Sequence, residues 1–158
     1  MNIIANFEKV SINQFEKDLP EYIDNYERIK IPARSTKGSA GYDFFVPFSF
    51  SVLPGQTQVI PTGIRAKIES GWVLQIYPRS SMGIKYNMEI CNTVGIIDSD
   101  YYYANNEGHI IVKIRNDGDK TINIEEGMRI VQGIFVPYGI TLDDNVTKNR
   151  HGGFGSTD

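Results

Sequence analysis

Two hydroxyls and a guanidinium leave the end of an apolar run together at Arg79-Ser80-Ser81, behind TrpValLeuGlnIleTyr and Pro78. Such a cluster can grip phosphate oxygens, because arginine makes bidentate charge-assisted hydrogen bonds while hydroxyls and turn amides fill the remaining lone pairs. A carboxylate, Asp98, closes the apolar stretch Val94-Gly95-Ile96-Ile97 and is followed by Ser99, Asp100 and Tyr101. A general base needs a half-dry position of that kind, where its lone pairs orient a water while burial and neighbours tune its pKa. Asp43 stands at a strand start after Ala40-Gly41-Tyr42, and Asn92 precedes the Thr93-Val94-Gly95 bend. The chain closes on HisGlyGlyPheGlySerThrAsp at 151–158. Its glycines let backbone N–H groups turn toward an anion, Ser156 and Thr157 add donors, and Phe154 offers a flat face to a base. Phosphate and base together mean a nucleotide. Taken singly, each cluster is also ordinary turn or tail chemistry.

Positioning these groups falls to short strands. From Arg28 onward, β-rich runs separated by Gly, Pro, Asn or Asp recur about every 8 to 12 residues. They cover 28–31, 41–46, 57–60, 63–68, 72–77, 94–98, 109–115, 120–124 and 129–136. This spacing predicts an all-β sandwich, jelly roll or barrel. One short surface helix is expected over 11–19, where Ile12, Phe15 and Leu19 recur at three and four spacing behind Ser11 and stop at Pro20. The 158 residues suffice for one domain, expected as a β-rich core with the N-terminal helix over 1–142 and a flexible C-terminal arm over 143–158.

Charge and cysteine usage exclude several classes. With 16 basic against 19 acidic residues, the basic ones scattered, there is no surplus positive charge to hold DNA or RNA. A single cysteine, Cys91, rules out an internal disulfide framework, and His109 and His151 are too far apart for a zinc motif. The N-terminus lacks a basic region followed by an apolar core, and no apolar run approaches the roughly 20 residues of a membrane span. A cytoplasmic protein without a membrane partner is expected. No Walker phosphate loop, HisGluxxHis or GlyxSerxGly element is present.

AlaGlyTyrAsp (40–43), ProArgSerSerMetGly (78–83), AsnThrValGlyIleIleAspSerAspTyr (92–101), GlyMetArgIleValGlnGlyIlePhe (127–135) and GlyGlyPheGlySerThr (152–157) occur in that order. Together they closely resemble the five motifs of the homotrimeric dUTP diphosphatases (dUTPases), over roughly residues 28–158. The resemblance implies a jelly-roll-like subunit, a homotrimer whose shared active sites are each built from three chains, and Mg²⁺-assisted hydrolysis of dUTP to dUMP and pyrophosphate. By the same analogy Asp98 activates the water that attacks the α-phosphate. Arg79, Ser80, Ser81 and Gln132 hold phosphates, and Arg129 orients a carboxylate or phosphate at the interface. Asp43 reaches Mg²⁺ through water, which suits a small ion that keeps most of its hydration shell.

Base selection follows from hydrogen-bond chemistry. Uracil presents an N3–H between two carbonyls, so Asn92 and the backbone of a tight hairpin through 92–98, Ile97 included, can pair with it, whereas cytosine presents an amine instead. The ring of Tyr101 beneath the sugar would leave no room for a 2′-hydroxyl. Phe154, with Gly155 and Ser156, would close over the uracil and exclude water.

Two departures from the family pattern stand out. Tyr102Tyr103AlaAsnAsnGlu precedes Gly108, so about five residues are inserted after Tyr101; the loop is expected to bulge outward and leaves a protein partner of 102–107 open. A single residue, His151, separates Arg150 from GlyGlyPheGly where the family has two, so either Arg150 or Lys148 would clamp the γ-phosphate. The competing readings are a dCTP deaminase of the same fold, which AspSerAspTyr and the glycine-rich arm oppose, and a regulatory protein switched by dUTP.

Overall fold

In the computed structural model, residues 2–150, 152 and 153 are described. In chain order the elements are β1 (Ala5–Lys9), α1 (Ile12–Asp18), a 3-10 segment (Pro20–Arg28), β2 (Ala33–Arg34), β3 (Tyr42–Phe45), β4 (Phe50–Val52), β5 (Thr57–Pro61), β6 (Ile64–Ile68) and β7 (Trp72–Pro78). There follow α2 (Ser80–Tyr86), β8 (Met88–Ile90), β9 (Gly95–Ile97), a second 3-10 segment (Ser99–Tyr103), β10 (Ile111–Asn116), β11 (Ile122–Ile124) and β12 (Arg129–Pro137). Every ladder among the described residues is antiparallel. The largest sheet runs β2-β3-β12-β7-β9; β5-β10-β8 forms a second, and β1-β6 and β11-β4 form two-stranded ladders. Because β12 lies between β3 and β7, neighbours in space are distant in sequence, as in a jelly roll.

The alternation of the strands builds the core. β10 turns Val112, Ile114 and Asn116 inward and Lys113 and Arg115 outward, the period-2 pattern of a sheet with one wet face. Leu74, Ile76, Phe44, Ile130 and Val131 of the large sheet join Ile60, Ile64, Ile114, Ile122 and Ile124 in one buried cluster. Phe7 of β1 seals one side, its ring 5.4, 5.6 and 5.5 Å from those of Tyr42, Phe44 and Phe135. Such tilted and edge-on pairs favour the ring quadrupoles over a face-to-face sandwich.

The helix over 11–19 forms as expected, with Ser11 as its N-cap: Gln14 N–H donates to Ser11 Oγ at 3.1 Å. Pro20 ends it and opens the 3-10 segment, where its missing N–H costs nothing. The strand expected at 28–31 is absent, because that 3-10 segment continues to Arg28, whose guanidinium forks onto Glu126 (Nε–Oε1 2.8 Å, Nη2–Oε2 3.2 Å). Only β2 follows, beyond Pro32. A second helix, α2, adds to the one expected and begins at Ser80, in a cluster whose residue types also suit an ordinary turn. Asn87 ends it in the left-handed region (φ 48°), its N–H bonded to Gly83 O. No helix among the described residues is long and apolar enough to cross a membrane.

Candidate active site

Arg79, Asp43, Arg129 and Gln132 converge at one end of the large sheet. Asp43 is nearly buried, and its two oxygens face Arg79 Nε at 2.9 Å and Arg129 Nη1 at 3.1 Å. Ser35, which no sequence motif marks, donates its hydroxyl to Asp43 Oδ2 at 2.8 Å and accepts from Arg129 Nη1 at 3.2 Å. One carboxylate thus holds two guanidiniums, leaving their outer N–H groups for an anion.

A β-bulge makes this convergence possible. Arg129 pairs with Phe45 and Val131 with Phe44, so Ile130 is an extra residue opposite β3. Without it, residues 129 and 132 would point to opposite faces, since side chains alternate along a strand. With it, Arg129 and Gln132 share the face of Asp43, the direct partner of Gln132 in the ladder. Gln132 donates to Pro78 O at 3.4 Å, and its Oε1 lies so close to Gly41 that a Cβ there would sit at 2.3 Å. Arg79 is tied to the bulge by its own N–H, which donates to Ile130 O at 3.0 Å. It is also the N-cap residue of α2, so Ser80 and Ser81 are that helix's first two residues and their amides have no intrahelical acceptor.

Asp98 and Tyr101 lie elsewhere. Asp98 follows β9 at the residue before the second 3-10 segment, 46% of its side chain exposed. Arg150 reaches it, Nη2 to Oδ2 at 2.6 Å, and also pairs with Asp100 through Nε at 3.0 Å. The guanidinium stands 5.7 Å above the Tyr101 ring, and a Cβ on Gly153 would touch that ring at 3.4 Å. Arg150 and Gly153 therefore lie over the carboxylate and the aromatic ledge. Lys148 makes no ion pair among the described residues. Phe154, Gly155 and Ser156 lie outside the described residues.

The hairpin expected through 92–98 is a corner between sheets. β8 pairs with β10 while β9 pairs with β7, so the two strands flanking Asn92 do not pair with each other. The corner is tight: Thr93 adopts φ 68°, and Val94 N–H donates to Asn92 O at 2.7 Å across it. A β-branched residue with positive φ is strained. The apolar stretch before Asp98 is a sheet edge; Ile96 is 53% exposed and Ile97 half-buried.

Register separates the two clusters. Ile97 pairs with Leu74, which sets Asp98 beside Val73, six residues from Arg79 along β7. At about 3.3 Å per residue this is roughly 20 Å, too far for the two to act on one phosphorus within a single chain.

The insertion after Tyr101 does not bulge outward. Tyr102 O–H donates to Glu8 Oε2 at 2.7 Å under the Arg65 guanidinium, which lies 4.2 Å above its ring. Ala104 is buried, and Glu107 accepts both the N–H and the O–H of Ser11, at 2.7 and 2.6 Å. Its polar groups find partners in the N-terminal segment, which is why it lies down. Tyr103 alone is a largely exposed aromatic there.

Fold and charge together define an all-β protein with a guanidinium cluster at one end of its main sheet and a carboxylate beside an aromatic ledge at the other. The dUTPase family model matches residues 27–158, and the chain belongs to that family. It is 44% identical over 142 residues to the deoxyuridine 5'-triphosphate nucleotidohydrolase of Lactococcus lactis, covering 87% of this chain and 95% of that enzyme. It is 38% identical over 135 residues to the Tolumonas auensis enzyme of the same name, covering 80% and 86%. The crystal structure of dUTPase from Streptococcus mutans superposes with a TM-score of 0.70 at 36% identity, covering 86% of this chain and 98% of that one. The phage phi11 dUTPase of Staphylococcus aureus, at 22% identity and a TM-score of 0.69, shares the fold.

Proposed function

We propose that the protein hydrolyses dUTP to dUMP and pyrophosphate at sites shared between copies of the chain. The observation that carries this reading is the split of one family's motif residues into two clusters at opposite ends of β7. A homotrimer, the arrangement the family resemblance implies, would bring Asp98 and Tyr101 of one copy against Arg79, Ser80, Ser81 and Gln132 of another. The apolar edge exposed at Ile96 is suited to such a contact.

In this reading Asp98 takes the proton of a water aligned on the α-phosphate, and Arg79 with the serine hydroxyls stabilises the charge that develops on the phosphate oxygens. Arg150 exchanges its two carboxylates for the triphosphate as the arm, residues 143–158, closes with Phe154, Gly155 and Ser156 over the base. That exchange frees Asp98. Asn92, Ile97 and the strained corner offer backbone and amide groups to uracil, and Tyr101 supports the sugar.

The donor set accommodates Mg²⁺ as a largely hydrated ion. No group of three or more His, Cys, Asp or Glu able to cage a metal occurs among the described residues. Asp43, with Arg79, Arg129 and Ser35 already on it, has lone-pair capacity left for a contact through water. Bound with the triphosphate, the ion would neutralise phosphate charge.

The test is pyrophosphate release from dUTP, dCTP, dTTP and UTP with Mg²⁺, following ammonia in parallel. Pyrophosphate from dUTP alone is expected. Ammonia from dCTP would replace this reading with deamination, and binding of dUTP without turnover would replace it with a regulatory role.

A further inference from the structure

The family match begins at residue 27, and the loop after Tyr101 departs from the family spacing. These two regions are built against each other, and Tyr101 stands at their meeting point.

His109 is fully buried beneath the loop. Its Nε2 accepts the backbone N–H of Gly63 at 2.8 Å, and Nδ1 faces Asp18 Oδ2 of α1 at 2.5 Å. A backbone amide only donates, so Nε2 carries no proton and the ring is the neutral Nδ1–H tautomer donating to Asp18. The carbonyl of the same residue accepts the Tyr101 hydroxyl at 2.7 Å, and the Tyr101 oxygen accepts Asn106 Nδ2–H at 2.8 Å. Asn106 is locked in turn: its Oδ1 accepts Gly108 N–H at 3.2 Å and its carbonyl accepts His109 N–H at 3.1 Å. Gly108 lies so close under Tyr101 that a Cβ there would be 2.7 Å from Tyr101 O, and its φ is +71°. On the outer side, Glu107 is fastened to Ser11 and Tyr102 to Glu8, both before residue 27. Both hydrogen-bonding capacities of the phenol are thus used, and the ring cannot swing without breaking one of them.

We propose that His109 is a positioning residue for Tyr101, and that the segment before residue 27, acting through Asp18, sets the height of the Tyr101 ring and with it the rejection of a 2′-hydroxyl. The proposal rests on Tyr101 being the sugar platform. Excluding one oxygen by steric contact depends on fractions of an ångström, so a doubly anchored phenol discriminates where a loosely held ring yields. Asp18 touches neither nucleotide nor Tyr101; its effect travels through the His109 ring to the His109 carbonyl.

The experiment compares kcat/KM for dUTP with that for UTP in the wild type, Asp18→Ala, Asp18→Asn, Tyr101→Phe and Tyr101→Ala, each checked for cooperative thermal unfolding. Asp18→Ala is expected to lower the dUTP preference about tenfold, the loss of one well-placed hydrogen bond. Asp18→Asn retains an acceptor oxygen for Nδ1–H and is expected to restore most of it. Tyr101→Phe removes only the anchored oxygen and is expected to lower the preference as Asp18→Ala does, with the double variant no worse than the poorer single one. A folded Asp18→Ala with wild-type preference overturns the proposal. Should Asp18→Ala not fold, an unchanged preference in Tyr101→Phe overturns it equally. An unchanged preference in Tyr101→Ala defeats the sugar-platform reading itself, whereas a relaxed Tyr101→Ala beside unchanged Tyr101→Phe and Asp18→Ala defeats only the positioning role.

Discussion

Asp98 is paired with Arg150 rather than free, so its replacement separates two roles. Asp98→Asn keeps a hydrogen-bonding side chain but cannot take a proton; turnover of dUTP should fall by about a thousandfold while dUTP binding, followed by calorimetry, is largely kept. Retained turnover would remove Asp98 as the base. His109 makes an independent prediction about pH. Burial lowers its pKa below the ordinary histidine value, only partly offset by Asp18 and by Glu107 of its own loop. The unfolded chain therefore takes up a proton as pH falls through about 6.5 while the folded chain resists. The unfolded state then binds more protons, so stability is full above that pH and declines below it. In His109→Asn this decline should be shallower in melting curves taken between pH 7.5 and 5. Asp98 and Tyr101 could be singled out from the sequence because their neighbours carry a motif. Ser35 and His109 could not, since their partners Asp43, Arg129 and Asp18 are set by folding, up to 94 positions away.

At the scale of elements, the longer β-rich runs bounded by turn residues were readable: those at 57–60, 63–68, 72–77 and 129–136 end within one residue of β5, β6, β7 and β12. The three-residue strands β4, β8, β9 and β11 exist through their ladder partners, and of these β9 and β11 fell within expected runs. The bulge at Ile130 leaves no local mark, because apolar residues continue through it, yet it turns Arg129 and Gln132 to one face. Gly108 gives this scale its test. Positive φ and backbone atoms at 2.7 Å admit no side chain, so Gly108→Ala should cost about 1–3 kcal/mol in denaturant unfolding and loosen the loop around Tyr101. An unaltered midpoint would show that the loop adapts.

For the whole molecule, the distance between the clusters predicts complementation. Asp98→Asn and Arg79→Ala chains, each inactive alone, should regain part of the activity when unfolded and refolded together, because a site between copies can draw Asp98 from one and Arg79 from the other. No recovery would mean that each chain completes its own site. Removing residues 151–158 should abolish most turnover while the thermal transition of the core stays in place, since the core cluster lies before residue 132. An unchanged rate would exclude the tail from closure.

Composition, turn residues and the order of five short motifs determined the strand-rich class and the family, and with them the residue types proposed to meet a nucleotide, because turn spacing and motif chemistry are properties of consecutive residues. Tertiary structure alone decided which of those residues meet. The ladders of β7 carry Arg79 and Asp98 to opposite ends, the bulge gathers Asp43, Arg129 and Gln132, and the N-terminal segment folds onto the loop that anchors Tyr101. Those encounters depend on register and long-range packing, which no stretch of neighbouring residues encodes.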